Sequence, residues 1–399
     1  MIRHFFRVIW FRKKENFMTS LGIFISFIVL FLVASFLVYT IGNYFKPLGF
    51  KYENVWKITM DWKDDSMNEK IETFRQVENV LKSTPEVESF AYSVSYLFAP
   101  SVFSQVHLEY NGIEFSSNLH SGSNDLAEVL GIELLEGRWF NETDNAANRK
   151  PIVINYLVKD ELFAGEEALG KAVMIGEDEH QVIGVIGEFR KGGRFTGSSR
   201  LTYRRISLEN NSDFARFGGE ALGSRVLLKM KPNTGIKFEQ ILTKRLEGIN
   251  KDWQFKVNPL ESLKRSANIQ TLIIPVIMAI VCAFLIINVG LGLFGVIWYN
   301  TNRRRGEIGL RRALGSSASK IQGQIIGEAL VLSTFAMIFG SFFALQFPLL
   351  GLLPIFSNSI YIMSYVISVL VIYLITSLCA WYPSRIASSI EPADALRDE

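Results

Sequence analysis

Three long stretches without a charged side chain limit what this chain can fold into. They cover residues 16–45, 266–302 and 329–384 and consist mainly of apolar residues. A helix needs about 20 apolar residues to cross the hydrocarbon of a bilayer, so the first two stretches each hold one span. The third is long enough for two spans, and polar, Gly and Pro residues interrupt it at 346–358. We therefore predict four membrane-spanning helices. Buried helices of a soluble protein are the alternative, which the length of the stretches disfavours.

The predicted fold class is a multi-pass α-helical membrane protein with a large extracytoplasmic α+β domain inserted between helices 1 and 2. The spans are assigned to residues 17–41, 269–299, 323–349 and 359–382, and a short extracytoplasmic loop to residues 350–358.

The first 16 residues are predicted to form an amphipathic helix at the cytoplasmic membrane surface. In MIRHFFRVIWFRKKEN, Ile2, Phe5 and Ile9 recur at helical spacing, and basic residues occupy the other side. Such a helix lies in the plane of the lipid headgroups. The apolar run behind it is longer than the core of a secretory signal and has no clear cleavage site, so we expect an uncleaved anchor.

Lysine and arginine in the short loops set the predicted orientation. They cluster before the first span and between the second and third spans, whereas the loop at 350–358 carries no charge. We therefore place the N-terminus, the segment 300–322 and the tail 383–399 in the cytoplasm, and residues 42–268 outside. The net charge of +3 comes from these membrane-flanking clusters, which favours contact with anionic lipid rather than nucleic acid.

The outer domain is predicted to be a split α/β platform with a β-rich lobe inserted into it. VWKITMDW alternates in period two, NEKIETFRQVENVLKS has a helical period, and VESFAYSVSYLF follows as a second strand. The same order returns in SRVLLKMKP, KFEQILTKRLEGIN and WQFKVNPL. The platform is assigned to residues 46–105 and 202–265, and the lobe to residues 106–201.

The segment GEEALGKA, residues 165–172, stops one residue short of a phosphate-binding loop. Such a loop ends in Lys-Ser or Lys-Thr because the hydroxyl holds Mg²⁺, and Ala172 stands at that position here. Glu166 and Glu167 would also bring carboxylates into a cradle that binds anions. We therefore expect a turn after a helix and no nucleotide bound by this chain.

No other pattern in the outer domain indicates an enzyme or a metal site. His107, His120 and His180 lack the spacing of zinc ligands, so we expect surface or locally bonded histidines. The Gly-, Ser- and Arg-rich segment 191–200 is predicted to be a mobile loop, with a substrate-facing role as the alternative. An ectoenzyme on a membrane anchor is disfavoured because it gives three spans no role.

The cytoplasmic segment 300–322 mixes basic and apolar residues around a turn. The second span is predicted to continue as a helix past Arg303, Gly315 to cap that helix, and Ser316 or Ser317 to cap the next one. A basic loop that only sets topology would explain the arginines but not the apolar residues among them. We predict a helix–turn–helix that contacts a partner. The predicted contact residues are Arg303, Arg305, Glu307, Ile308, Gly309, Leu310, Arg311, Arg312, Ala313, Leu314 and Gly315.

These residues resemble a segment of the MacB/FtsX-type permeases of ABC transporters. RRRGEIGLRRALGSS is similar to the family's R-x-x-E-I-G-x-R-x-A-L-G-A, with Ser316 in place of the last alanine. LLEGRWFNETDN, IVINYLVKDELFAGEEALGKAV and HQVIGVIGEFR resemble its periplasmic core domain. PSRIASSIEPADALRDE resembles its cytoplasmic tail, with matches at Pro383, Ala387, Pro392, Ala395 and Leu396. The motifs follow the family's order, and the resemblance covers essentially the whole chain.

The resemblance implies a transporter permease subunit rather than an enzyme. Such permeases pair with a second copy or a homologue and pass ATP-driven motion from an ABC-type ATPase to their outer domains. Because no Walker loop is present in the sequence, ATP and Mg²⁺ are expected on an ATPase in trans and no cofactor on this chain. Export is one use of the motion; the alternative is an FtsX-like regulatory scaffold that activates a cell-envelope hydrolase or sensor. The implied location is the bacterial inner membrane, with a periplasmic adaptor, lipoprotein or outer-membrane protein as a further partner.

Glu328 is the one ionisable residue within the predicted third span. A carboxylate in a membrane helix is a functional hypothesis by default. At about 1.5 Å per residue it lies roughly 12 Å along the helix from Lys320, near the cytoplasmic interface. We predict a structural hydrogen bond at a helix or dimer contact rather than a proton relay.

Overall fold

The computed structural model describes residues 13–61, 66–99, 105–207 and 224–389. The chain divides into two units. A membrane unit comprises the residues up to Gly42 and those from Ile273 onward, and an outer unit comprises Asn43–Leu272. Most of the predicted interfacial helix at 1–16, and the tail beyond residue 389, lie outside the described residues.

Helices and strands follow one another with short connections. The helices are α1 (Lys13–Tyr44), α2 (Met67–Lys82), α3 (Leu126–Leu130), α4 (Tyr156–Phe163), α5 (Lys237–Glu247), α6 (Leu260–Arg303), α7 (Arg305–Ala313), α8 (Ala318–Leu349) and α9 (Asn358–Ser388). The strands are β1 (Val55–Asp61), β2 (Val87–Val94), β3 (Gln105–Tyr110), β4 (Ile113–Gly122), β5 (Leu134–Gly137), β6 (Lys150–Asn155), β7 (Ala172–Ile175), β8 (Asp178–Ile186), β9 (Leu201–Arg205), β10 (Ser224–Met230) and β11 (Gln254–Pro259).

Four of these helices, α1, α6, α8 and α9, are long and apolar enough to cross a membrane. Each begins before and ends at or beyond its predicted span. The difference is largest for α6, which begins at Leu260 although the span was assigned from residue 269. Hydropathy marks only the apolar part of a helix, and the first turns of α6 carry charged residues.

Polar side chains between α8 and α9 are hydrogen-bonded to each other across the helix pair. Ser333 Oγ lies 2.9 Å from Thr376 Oγ1, and both side chains are buried. Ser341 Oγ lies 2.8 Å from the Tyr365 hydroxyl. In hydrocarbon a polar group without a partner is costly, so these hydroxyls hold the two helices in register.

The strands of the outer unit form one sheet. Among the described residues it has 11 strands, in the order β11-β1-β10-β2-β4-β3-β7-β8-β6-β9, with β5 added beside β8. The β2–β4 contact is short: only Ser93 with Gly122 and Val94 with Ser121 are paired. This short contact separates a platform from a lobe.

The platform consists of β1, β2, β10 and β11 with α2 and α5. The apolar faces of both helices, including Phe74, Val77 and Leu242, lie in one core cluster with residues of these strands. Ser66 caps α2, because its hydroxyl accepts from the Glu69 amide while the Glu69 carboxylate accepts from the Ser66 amide. Two strand–helix–strand segments therefore meet in one layer, as their repeated sequence pattern predicts.

The lobe has its own core around β6, β8 and α4. It includes Ile152, Val158 and Val182. Strand β9 belongs to this lobe, because it pairs with β4 in parallel and with β6 antiparallel. The assignment of the platform from residue 202 onward was therefore wrong for β9, whose short sequence does not reveal its partners.

One buried arginine holds the residues that follow α1. Arg190 is fully buried, and its guanidinium donates to the carbonyls of Asn43 at 2.5 Å and Pro47 at 2.8 Å. It also donates to the carbonyl of Arg194 at 3.1 Å. The loop at 191–200 is thus packed against the end of α1 rather than free, contrary to the predicted mobile loop.

In the segment that follows α1, Gly49 lies very close to the backbone of Glu188. Gly49 has φ +83°, and a Cβ added to it would lie 1.5 Å from the Glu188 carbonyl oxygen. Only glycine fits, because a side chain would meet backbone that cannot move aside. Gly112, in the β3–β4 turn, has a similar φ of +78° with nothing within 4 Å of an added Cβ.

We expect Gly49→Ala to destabilise the protein far more than Gly112→Ala. The strain of a left-handed alanine costs about 1–2 kcal/mol in both variants, and the contact with Glu188 adds about 1–3 kcal/mol in Gly49→Ala alone. Thermal unfolding of the full chain in detergent micelles measures the difference. Equal melting temperatures for the two variants would show that the segment after α1 is not closely packed.

Candidate functional site

The candidate site is the turn between α6 and α8, residues 303–317, which we call the elbow. Helix α6 ends at Arg303, because Arg304 has φ −100° and ψ 16° and interrupts the helical backbone. Helix α7 then runs to Ala313. The predicted continuation of the second span as one helix is therefore wrong at a single residue, Arg304, and α7 is a separate short helix.

The turn after α7 has the predicted caps. Gly315 adopts φ +91°, and the Ser316 amide donates to the Arg311 carbonyl at 3.0 Å. The left-handed position favours glycine because a Cβ would be strained there. Of the two serines considered, Ser317 caps α8, and its hydroxyl accepts from the Lys320 amide at 3.4 Å.

One face of α7 is buried inside the membrane unit. Ile308 is 7% exposed and lies in a cluster with Ile321 of α8 and Ala387 of α9. Gly309 beside it is also buried. Ile308 therefore cannot contact a partner as predicted, because its side chain already anchors α7 to the neighbouring helices.

The other face of α7 presents two leucines to solvent. Leu310 is 52% exposed and Leu314 is 79% exposed. They are four residues apart, which places them on the same side of the helix and turn. Of the other predicted contact residues, Arg303, Arg305, Glu307, Ala313 and Gly315 are exposed, and Arg311 and Arg312 are half-buried.

A polar network of Glu307, Arg311, Gln324, Glu328 and Arg304 fixes α7 against α8 and the end of α6. Arg311 donates to Glu307 at 2.5 Å and to Gln324 at 2.8 Å. Gln324 donates to Glu328 at 3.1 Å, and Arg304 donates to the other oxygen of Glu328 at 2.9 Å. Two guanidinium groups balance two carboxylates, so the network adds no net charge at the edge of the apolar spans.

Glu328 is thus held by Gln324 on its own helix and by Arg304, the residue between α6 and α7. Neither Arg304 nor Gln324 was among the predicted site residues. Gln324 and Glu328 are four residues apart on one helix, and this spacing could have revealed the contact between them. The contact with Arg304 depends on how α6 and α8 meet, which no local spacing reveals.

The residues of the tail motif that the structure describes contact the elbow and α8. Ala387 is buried in the cluster with Ile308, and the Gln322 amide donates to the Ser388 hydroxyl at 2.8 Å. Pro383 is buried within α9. Pro392, Ala395 and Leu396 lie outside the described residues.

GEEALGKA forms the connection between α4 and β7 in the outer unit. Ala164 and Gly165 both have positive φ and turn the chain after the helix. The amino group of Lys171 contacts the carboxylate of Glu166. The lysine side chain is therefore paired with a carboxylate of the same segment and does not form part of an anion-binding loop.

Two of the three histidines of the outer unit, His120 and His180, are buried, and His180 is also locally bonded, as predicted, because its Nδ1 lies 3.1 Å from the Asp178 carbonyl. His120 lies between Tyr203 and Phe189, and burial, followed by the charges of Lys191 and Arg225, lowers its pKa to about 3. It is therefore neutral at physiological pH and is a core residue. No group of three or more potential metal ligands occurs among the described residues.

Two family descriptions match the chain in sequence. The MacB-like periplasmic core domain matches residues 16–235, which is more than half of the chain, and the FtsX-like permease C-terminal domain matches residues 271–392. The chain belongs to the MacB/FtsX-type family of ABC transporter permeases. The second match contains the whole elbow.

Individual members of the family are distant in sequence. The macrolide export ATP-binding/permease protein MacB of Escherichia coli K12 is 24% identical over 304 residues, which are 75% of this chain and 46% of that protein. MacB proteins of Shigella flexneri and Escherichia coli O157:H7 give the same identity and coverage. This chain therefore spans about half the length of the curated relatives it matches.

Two solved structures of outer domains are also similar to part of this chain. The periplasmic region of MacB from Actinobacillus actinomycetemcomitans has a TM-score of 0.39 at 18% identity, covering 55% of this chain and 94% of that one. The extracellular domain of the noncanonic ABC-type transporter YknZ from Gram-positive bacteria has a TM-score of 0.35 at 17% identity, covering 51% and 99%.

We expect Glu328→Gln to destabilise this permease and Glu307→Gln to leave its stability nearly unchanged. The Glu328 side chain is only 25% exposed, and its loss of charge leaves Arg304 half-buried without a carboxylate, at a cost of about 1–3 kcal/mol. The Glu307 side chain is 51% exposed, and its contact with Arg311 four residues on contributes about 0.2–0.5 kcal/mol.

Thermal unfolding of both variants in nanodiscs measures this difference. A Glu328→Gln variant as stable as the wild type would mean that the network does not fix α7.

Proposed function

We propose that this chain is the permease subunit of a MacB/FtsX-type ABC transporter, which couples ATP hydrolysis by a separate ATPase to movement of its extracytoplasmic domain. The observation that carries the proposal is the two-sided elbow. Its outer face presents Leu310 and Leu314, while its inner face is anchored by Ile308 and the polar network. An exposed apolar pair among arginines is suited to a protein partner.

The anchored face explains how a push on α7 would reach the spans. Arg311 ties α7 to α8 through Gln324, and Arg304 ties the end of α6 to α8 through Glu328. A displacement of α7 therefore acts on both helices rather than bending the turn. Helix α6 runs without interruption from Leu260, directly after β11, to Arg303.

A second connection follows α1. Arg190 fixes the carbonyls of Asn43 and Pro47 to the loop at 191–200, so the residues that leave the first span cannot shift independently of the outer unit. Both α1 and α6 thus enter the outer domain through buried contacts: Leu260 and Ala267 of α6 belong to the same core cluster as Phe189 and Leu48.

The remaining elements of the proposal rest on the family. The chain lies in the bacterial inner membrane with both termini and the elbow in the cytoplasm, and it works with a second copy or a homologue. ATP and Mg²⁺ bind the ATPase in trans. We propose export as the use of the motion, because the curated relatives are macrolide exporters by name; an adaptor, lipoprotein or outer-membrane protein completes the path.

We expect Leu314→Asp to lose its ATPase partner. Leu314 makes no core contact, so the variant folds, but a carboxylate buried in an apolar contact lowers affinity by about tenfold or more. The measurement is the amount of ABC-type ATPase that co-purifies with the full chain from its native membranes, identified by mass spectrometry.

The matched control is Leu135→Asp, which changes a leucine of the outer unit that is 57% exposed. It is expected to keep the ATPase. Equal capture by the two variants, or no ABC-type ATPase with the wild-type chain, would contradict the proposed function.

A further inference from the structure

The end of α1 marks one point at which the chain leaves the hydrocarbon of the bilayer. Residues 16–45 carry no charge, and Lys46 is the first charged side chain after them. Helix α1 ends at Tyr44. A charged side chain is costly within the hydrocarbon, and aromatic rings are favoured at its edge. Phe45 and Lys46 therefore belong to the boundary at which lipid headgroups replace acyl chains.

The start of the second span marks another such point. Residues 266–302 carry no charge, and Arg265 is the last charged side chain before them. In the loop at 191–200, a Cβ added to Gly193 would lie 3.2 Å from the side-chain oxygen of Asn268, which is three residues after Arg265 on α6. This contact places the loop where α6 meets the lipid headgroups.

The buried guanidinium of Arg190 holds this loop beside the end of α1. It donates to the carbonyl of Lys46 and to the carbonyl of Arg194. Because one group binds both carbonyls, the backbones of Lys46 and Arg194 lie side by side. Only backbone atoms of these two residues take part in the contact, so their side chains can be replaced without removing it.

Aromatic rings lie beside the Arg194 side chain. Tyr44 stacks on Phe195 with ring centroids 5.4 Å apart, and the Arg194 guanidinium lies 5.7 Å from the centre of the Tyr44 ring. Phe45 touches Tyr44 edge-on, yet its side chain is 79% exposed. This surface therefore combines a stacked guanidinium with an aromatic ring that water does not cover favourably.

The two cations of this surface have no acidic partner among the residues that the structure describes. Lys46 is exposed and Arg194 is half-buried. By contrast, Arg138, Arg149 and Arg200 of the same unit are each paired with a carboxylate. A guanidinium that stacks on a ring still presents its N–H edge, which fits the oxygens of a phosphate. The charge, the rings and the position at the boundary all match a phospholipid.

We propose that Lys46 and Arg194 bind the phosphate of a phospholipid headgroup, with Phe45 inserted among the acyl chains beside it. The lipid belongs to the leaflet at the C-terminal end of α1. An anionic lipid such as phosphatidylglycerol is preferred, because two cations attract its net negative charge. This lipid site goes beyond the proposed function and does not depend on the ATPase partner.

Photo-cross-linking of the full chain in nanodiscs tests the site. The bilayer consists of phosphatidylglycerol, of which a small fraction carries a photoreactive group on its headgroup, and peptide mass spectrometry maps the cross-linked positions. We expect cross-links at residues 44–46 and 194–196 of the wild-type chain. Excess inorganic phosphate should not reduce them, because the free ion lacks the acyl chains that Phe45 contacts.

Arg194→Ala should reduce these cross-links several-fold. Alanine keeps the backbone carbonyl that accepts from Arg190, so the loop stays in place. Arg75→Ala, at an exposed arginine of α2, is the matched control and should leave the cross-links unchanged. Arg194→Lys should retain more of them than Arg194→Ala, since it keeps the charge and loses only the planar fork.

Phe45→Ser tests the apolar part of the site. It should reduce cross-linking by a similar factor in phosphatidylglycerol and in phosphatidylcholine nanodiscs, because Phe45 contacts acyl chains rather than the headgroup. Arg194→Ala should have the larger effect in phosphatidylglycerol. Ile236→Ser changes an isoleucine of the outer unit that is 77% exposed, and this matched control should leave the cross-links unchanged.

Four results would overturn the proposal. The first is an absence of cross-links at residues 44–46 and 194–196, which is expected if another protein covers the surface. The second is competition by inorganic phosphate, which would make the free ion the ligand. The third is an equal effect of Arg194→Ala and Arg75→Ala. The fourth is a loss in Arg194→Ala that Arg194→Lys does not restore at all, which would show that Arg194 has a structural role.

Discussion

The bilayer offers no hydrogen bonds to a polar side chain, and this constraint explains the arrangement of the membrane unit. The hydroxyls of Ser333 and Thr376 face each other, and Glu328 is held by Arg304 and Gln324 in the N-terminal part of α8. The Ser333–Thr376 and Arg304–Glu328 contacts join α8 to other parts of the chain, so satisfying these polar groups also fixes α8 in position.

At the elbow, some side chains are bonded within the chain and others are exposed. The charged groups of this basic segment are partly used within the chain, because Arg311 donates to Glu307 and Gln324. The exposed leucines, Leu310 and Leu314, are the surface that we propose for another protein. A helix anchored on one side and apolar on the other transmits a push better than a flexible basic loop, since its inner contacts must move with it.

Much of this architecture could be predicted from the sequence. The uncharged stretches gave the four helices, and Gly315 with the serines after it gave the turn, because caps are local signals. Long-range contacts were missed. Ile308 was expected to be exposed, although the helices around it bury it. Strand β9 was assigned to the platform rather than to the lobe. Arg190 was not recognised, because the carbonyls described around it come from residues 43–47 and 194–196, two segments far apart in sequence. Spacing reveals which residues share a face, but not what that face meets.

The most direct test of the account is the distance between the two units during the ATPase cycle. Spin labels at Glu177, in the β7–β8 turn, and at Leu352, in the loop after α8, would be placed in a chain lacking its two native cysteines. Pulsed electron resonance in nanodiscs with the co-purified ATPase then reports that distance without nucleotide and with ATP trapped. The account predicts a distance that changes with ATP and a change that is lost in Leu314→Asp. An unchanged distance while the bound ATPase turns over would contradict the claim that the elbow drives the outer domain.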